Sequence, residues 1–148
     1  MLHRSMKNDM NLECGRTAEN LADGAVNPAP GIAAPETVGL PVAREPGYGR
    51  VELRTSTTMF GSGSDFVRGA VVFALADHAA MLAVDEATAV LEAADVRFVR
   101  PVGADVAIVA EANARMRIGK RRHVAVTVSQ GEEKIFEGDF TVCLSESR

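Results

Sequence analysis

The stretch FVRGAVVFALADHAAMLAV, residues 66–84, decides how this chain is read: it is apolar on every side of a helix yet carries Asp77 and His78 near its middle. Its length approaches a membrane span, but an aspartate at the centre of a bilayer costs roughly 3 kcal/mol on insertion scales. The stretch therefore predicts a helix buried in protein. Ser64 or Asp65 is the expected N-cap, since either side-chain oxygen can accept from the open amides of the first turn. A surface helix needs one apolar stripe, whereas a helix apolar all round must be covered all round. A single curved sheet does most of that, and two subunits with their sheets edge to edge complete it and protect a strand edge.

Outward from the helix the pattern turns to strands. Val51 to Thr58 alternates and is rich in β-branched residues, and Gly61-Ser-Gly-Ser64 breaks it. After Asp85-Glu86, the runs 88–91 and 94–99 read as strands closed by Pro101-Val-Gly103. Residues 106–116, 122–129 and 134–144 alternate apolar with polar, separated by Ile118-Gly119-Lys120 and Gln130-Gly131-Glu132, both hairpin turns in character. The expected order is strand, helix, then four or five strands. Residues 1–46 hold five of the six prolines, with little periodic apolar pattern. Such a segment cannot bury enough surface to offset its ordering entropy, so it is expected to be a flexible arm, with the folded domain at 47–148.

The 148 residues suffice for one domain with a core. A formal charge of -4 gives no overall pull toward nucleic acid or anionic lipid, so neither is an expected partner. The start of the chain has no continuous apolar core of a secretory signal. Cys14 and Cys143 stand near opposite ends in no metal-binding or redox spacing. They fit a reducing cytoplasm and no disulfide framework. No His/Cys cluster points to a metal, and no Gly-rich loop points to nucleotide hydrolysis.

The motifs resemble the hotdog thioesterases of the phenylacetate-pathway type. Their helix starts His-Gly-Gly and carries an Asp eight residues after the first Gly. Here Arg68-Gly69-Ala70 and Phe73-Ala-Leu-Ala-Asp77 keep that Gly and Asp in register, while Arg replaces His and Ala replaces the second Gly. Asp95-Val-Arg-Phe-Val-Arg-Pro101 and Gly119-Lys-Arg-Arg122 match as well. A second resemblance is to the hotdog effector domain of malonyl-CoA-responsive repressors of fatty-acid synthesis, carried by Arg68-Gly69, Phe73-Ala74, Ala94-Asp95-Val96-Arg97-Phe98 and Ile135-Phe136-Glu137-Gly138-Asp139-Phe140. Those repressors carry Asn where this chain has Asp77, and they begin with a helix-turn-helix that residues 1–46 cannot supply.

Both resemblances imply an α+β hotdog fold, a long central helix wrapped by a curved antiparallel sheet, working as a homodimer or a dimer of dimers on acyl-coenzyme A thioesters. No cofactor is expected beyond coenzyme A as part of the substrate or ligand. Asp77, the one carboxylate in an apolar run, is the candidate base or nucleophile; the plain alternative is a structural hydrogen bond. The Gly69 amide is the candidate donor to the developing oxyanion. These two lie eight residues apart, about 12 Å along one helix axis, so a shared carbonyl must sit between two subunits. His78 is about 100° round the helix from Asp77 and is read as a structural or interface residue. Arg68 faces either an acyl carboxylate or Asp77 of a second subunit. Ser62 and Ala70 complete the expected substrate contacts at the helix start, and Lys120, Arg121 and Arg122, with Arg115 and Arg117 nearby, form a positive patch suited to phosphates. The two functions weighed are an acyl-CoA thioesterase and a non-catalytic acyl-CoA sensor.

Overall fold

The structure, a computed structural model, describes residues 38–145. Two strands come first, β1 (Leu40–Glu45) and β2 (Tyr48–Arg54), then one helix, α1 (Gly69–Val84). Four strands complete the chain: β3 (Ala89–Phe98), β4 (Ala107–Ile118), β5 (Arg121–Gln130) and β6 (Glu133–Leu144). All pair antiparallel in one sheet of order β1-β2-β4-β5-β6-β3. The sheet wraps one side of α1, which is the hotdog arrangement that the resemblance implies. No helix of the described residues is long and apolar enough to cross a membrane.

Alternation explains which face of each strand meets the helix. In β5, Val124, Val126 and Val128 are buried, while His123, Ala125 and Thr127 between them are less so. The inward set joins Val51, Ile108, Phe136 and Phe140 around Leu75 and Leu82 of α1. Removing a leucine of this kind from water contributes roughly 1.5–3 kcal/mol. Small residues let α1 come close to the sheet: a Cβ on Gly49 would stand 2.8 Å from the Ala79 carbonyl oxygen and 2.9 Å from the Ala83 amide nitrogen. Alanines on the helix and glycine on β2 thus seat α1 over β2 and β4. The two expected hairpins form, with Gly119 and Gly131 at φ of 62° and 61°.

Several expectations need correction. Leu40–Glu45, assigned above to the flexible arm, is the edge strand β1; residues 1–37 of that arm lie outside the described residues. Proline is tolerated there because an edge strand has a free side and Pro41 needs no ladder donor on it. Pro46-Gly47 then makes the turn into β2, with Gly47 at φ 79°. The helix begins at Gly69 rather than Phe66, and Ser64 and Asp65 do not cap it. Ser64 Oγ instead accepts from the Phe66 amide, while the Val67 and Arg68 amides donate to the carbonyls of Val102 and Met59. Those lateral bonds hold residues 66–68 extended. The runs at 88–91 and 94–99 are one strand, β3, with an irregularity between Leu91 and Ala93.

Candidate functional site

The sheet covers α1 on one side only. Val72, Leu75, Ala76, Ala79, Leu82 and Ala83 are buried, whereas Phe73, Ala74, Asp77 and Met81 are half-buried and Ala70 is exposed. At 3.6 residues per turn, Ala70, Ala74, Asp77 and Met81 form one stripe along the helix. This is the incomplete coverage expected of a single subunit. It places Asp77 on the face that its own sheet leaves open.

Asp77 is half-buried there. Its Oδ1 is out of contact with solvent and has no hydrogen-bond partner among the described residues. Burial raises its carboxyl pKa above the ordinary aspartate value. Buried polar atoms are nearly always satisfied, so one left open on an uncovered helix face is a candidate for chemistry. His78 has the opposite fate. It is fully buried, its Nδ1 lies 3.0 Å from the Val38 carbonyl oxygen, and burial lowers its pKa with that hydrogen bond opposing the shift. It ties the segment before β1 to α1, the structural role read from the sequence.

The start of α1 has no side-chain cap, so the Gly69 and Ala70 amides stay open, with both residues exposed. They carry the positive end of the helix dipole. Phe98 of β3 packs on Gly69, where an added Cβ would be 3.2 Å from the ring. Glycine therefore brings the helix start against the open edge strand. Arg68 is exposed, and no carboxylate of the described residues pairs with it. The turn holding Ser62 lies alongside, with the Cβ position of Gly61 3.8 Å from Arg68 Cγ. Ser62, Arg68, Gly69 and Ala70 are thus brought together, and Asp77 stands two turns further along the same helix.

The basic patch is not brought together in the same way. Lys120 is exposed in the β4–β5 turn. Arg121 points to the outer face of the sheet and makes two hydrogen bonds to Glu92 of β3. Arg122 points to the inner face, beyond the end of α1, with its Nε donating to the Arg115 carbonyl at 3.2 Å. One group near Arg122 went unassigned in the sequence, Arg44, hidden in a proline-rich run; Arg117 was named only as part of the patch, and its place opposite Arg122 depends on a shifted register between Ala114 and Arg117. Phe98 was quoted only as part of a motif, and nothing in the sequence showed that it seats Gly69.

Comparisons with known proteins bear on the fold. No protein-family model matches the chain. It is 38% identical over 105 residues to a methylthioribose-1-phosphate isomerase of Aquifex aeolicus, covering 71% of this chain and 23% of that protein. It is 37% identical over 82 residues to transcription factor FapR of an Exiguobacterium strain, covering 55% of this chain and 43% of that one. The chain thus spans under half the length of these curated relatives. Among solved structures, uncharacterized protein PH1136 from Pyrococcus horikoshii is 40% identical with a TM-score of 0.75, over 78% of this chain and 89% of that one. The Escherichia coli PaaI protein of the phenylacetic acid degradation operon has a TM-score of 0.66 at 18% identity, over 97% of this chain and 99% of that one.

Proposed function

Since the chain belongs to the hotdog-fold superfamily, in one family with the Pyrococcus horikoshii protein, we propose that it hydrolyses an acyl-coenzyme A thioester at a site built by two subunits. The observation that carries this reading is the Asp77 carboxylate, with Oδ1 buried and without a hydrogen-bond partner among the described residues, on the face of α1 that the sheet does not cover. In the ionised form it takes a proton from water, whose oxygen attacks the thioester carbon. As direct nucleophile it attacks that carbon itself, and water then cleaves the resulting anhydride. Charge moves to the carbonyl oxygen, where open amides at a helix start stabilise it. The C–S bond then breaks, and the departing thiolate takes up the proton.

The donors to that oxygen come from a second subunit, because Gly69 and Asp77 of one chain are about 12 Å apart along the axis. A two-fold that sets the two open helix faces side by side, start against middle, supplies both groups twice. The edge strand β3 supports such an assembly, with Val90 and Phe98 both more than half exposed on it. Ser62 and Ala70 line the approach at the helix start. Arg68 there meets either a carboxylate on the acyl group or Asp77 of the other subunit. Binding without turnover is the less favoured reading, because a carboxylate where the repressors carry Asn is the group that hydrolysis needs.

A thiol-release assay across short, long, aromatic and dicarboxylic acyl-CoAs tests the proposal. Turnover of at least one class at enzymatic rates is expected. Release no faster than the uncatalysed rate from every class overturns it.

A further inference from the structure

The ring of Phe98 stands against Gly69 at the start of α1: a Cβ there would be 3.2 Å from Cε1 and 3.4 Å from Cζ of that ring. Carbon atoms prefer roughly 3.5–4.0 Å, so the two residues fit each other only as glycine against ring. Phe98 is 52% exposed, whereas Phe136 and Phe140 behind it are fully buried. The ring therefore contributes less to the core than they do, and its distinctive contact is the one with the helix start.

Its own place is well fixed. Phe98 is directly opposite Phe136 in the β3–β6 ladder, and the two rings meet edge to face, 5.2 Å between centroids with planes at 73°. The amides of the next two residues, Val99 and Arg100, both donate to the Ile135 carbonyl. Phe136 also meets Phe73 of α1 at 6.5 Å and 84°, and Phe73 lies 5.5 Å from Phe140. Phe73 is four residues after Gly69 and four before Asp77, so the aromatic cluster grips α1 one turn from each.

Upstream of Gly69 the chain is tied by backbone: the Val67 amide donates to the Val102 carbonyl at 2.8 Å and the Arg68 amide to the Met59 carbonyl at 2.9 Å. The Val71 amide is taken up by the Arg68 carbonyl at 3.0 Å. Gly69 itself brings no side chain to hold its peptide plane, and glycine is the residue with the widest choice of φ and ψ. A donor to an oxyanion works best when its direction is set before charge develops. The wall that Gly69 lacks is supplied from β3 by Phe98.

We infer that Phe98 is a positioning residue for thioester hydrolysis, acting through Gly69: its ring fixes the Gly69 amide in the direction from which it donates to the carbonyl oxygen. The inference rests on the thioester reading for that carbonyl and adds the group that keeps its donor rigid.

The test compares the full-length wild type with Phe98→Ala, Phe98→Leu, Gly69→Ala and the double variant of the two alanines, by amide relaxation of the free protein and by acyl-CoA hydrolysis. In Phe98→Ala the order parameter of the Gly69 amide is expected to fall from about 0.85, that of rigid backbone, to below about 0.6. The same variant lowers kcat about 10- to 100-fold, less than loss of the donor itself, with KM moved less than about threefold for short and long acyl groups alike. The pH profile keeps its position, since Asp77 is untouched. Phe98→Leu, which refills the space, restores most of the rate and the rigidity. The losses from Gly69→Ala and Phe98→Ala combine less than additively, because both act on one amide. Phe98→Val withdraws the ring but keeps a strand-forming residue, and replaces Phe98→Ala should that variant not fold. A Gly69 amide as rigid without the ring as with it overturns the inference. So does a loss confined to KM that grows with acyl length, which makes Phe98 a substrate contact. A Gly69 amide that loosens in Phe98→Ala, in a protein whose wild type turns over no acyl-CoA, upholds the positioning and removes the hydrolysis reading alone.

Discussion

Asp77 and His78 are neighbours on α1, about 100° apart around its axis, and burial drives both toward their neutral forms, the aspartate by raising its pKa and the histidine by lowering it. The difference is in what surrounds them. His78 faces the β1 side, where the chain itself supplies the Val38 carbonyl. Asp77 lies on the side that the sheet leaves uncovered, and no described residue bonds its Oδ1. A buried polar group that its own fold satisfies is part of the structure. One that its fold leaves open at a surface waits for a substrate or a second subunit.

The sharpest way to break this contrast is Asp77→Asn. Turnover is expected to fall by about two to four orders of magnitude, the usual worth of a general base. Stability should move the other way. Because the folded-state pKa is raised, the ionised carboxylate opposes folding: its contribution is favourable at low pH and is lost as pH rises through the raised value. The Asn variant should therefore melt higher than wild type at neutral pH, with the gap closing on acidification into the ordinary carboxylate range. Parallel kinetic and thermal measurements across pH check both signs, and an unchanged rate would make Asp77 structural.

His78→Ala acts on the satisfied side. Loss of a fully buried ring and of its bond to Val38 should cost about 2–4 kcal/mol of folding stability, read from denaturant midpoints. The sign with pH is again set by direction. His78 is held below its ordinary value near 6.5, so its contribution is complete above that pH and is lost as pH falls below it. The variant should lack that part of the acid dependence. If wild type and variant lose stability in parallel between neutral and mildly acidic pH, His78 is not the group responsible.

Ala74→Glu is the mildest change to the folded chain, about 0.5 kcal/mol, because the residue is half-buried on the uncovered stripe. Its consequence should appear in assembly instead. A charge placed where two helices face each other ought to shift sedimentation toward monomer and lower activity with it. Assembly indifferent to the substitution would move the subunit contact away from this face.

The main parts of this fold were legible in the sequence because they rest on periodicity. The all-round apolar run of α1 and the alternation of β4, β5 and β6 state their own burial, and Gly119 and Gly131 mark their own turns. The start of α1 was misplaced because Ser64 is a good cap in isolation. Backbone pairing of Val67 with Val102, distant in sequence, decided otherwise. β1 was hidden because Pro41 and Pro46 argue against a strand anywhere except at an edge and a turn, and edge position is a property of the whole sheet. The site was legible in part. Asp77 stood out as a charge in an apolar run, while Gly69 came only through the resemblance to the hotdog thioesterases. Separating Arg122 from Arg121 required the face of β5 on which each lies, and Arg44 became visible only once β1 had a register.

The two ends of the sheet are unlike, and that has a consequence for how many copies can join. β1 is six residues long, carries Pro41 and is irregular between Pro41 and Ala43. β3 at the other margin runs ten residues with no proline. Main-chain annealing that continues from molecule to molecule needs two competent margins on each, one to accept and one to offer. This chain has one. A neighbour pairing along β3 would use that margin of both partners, so strand pairing through it would close at two.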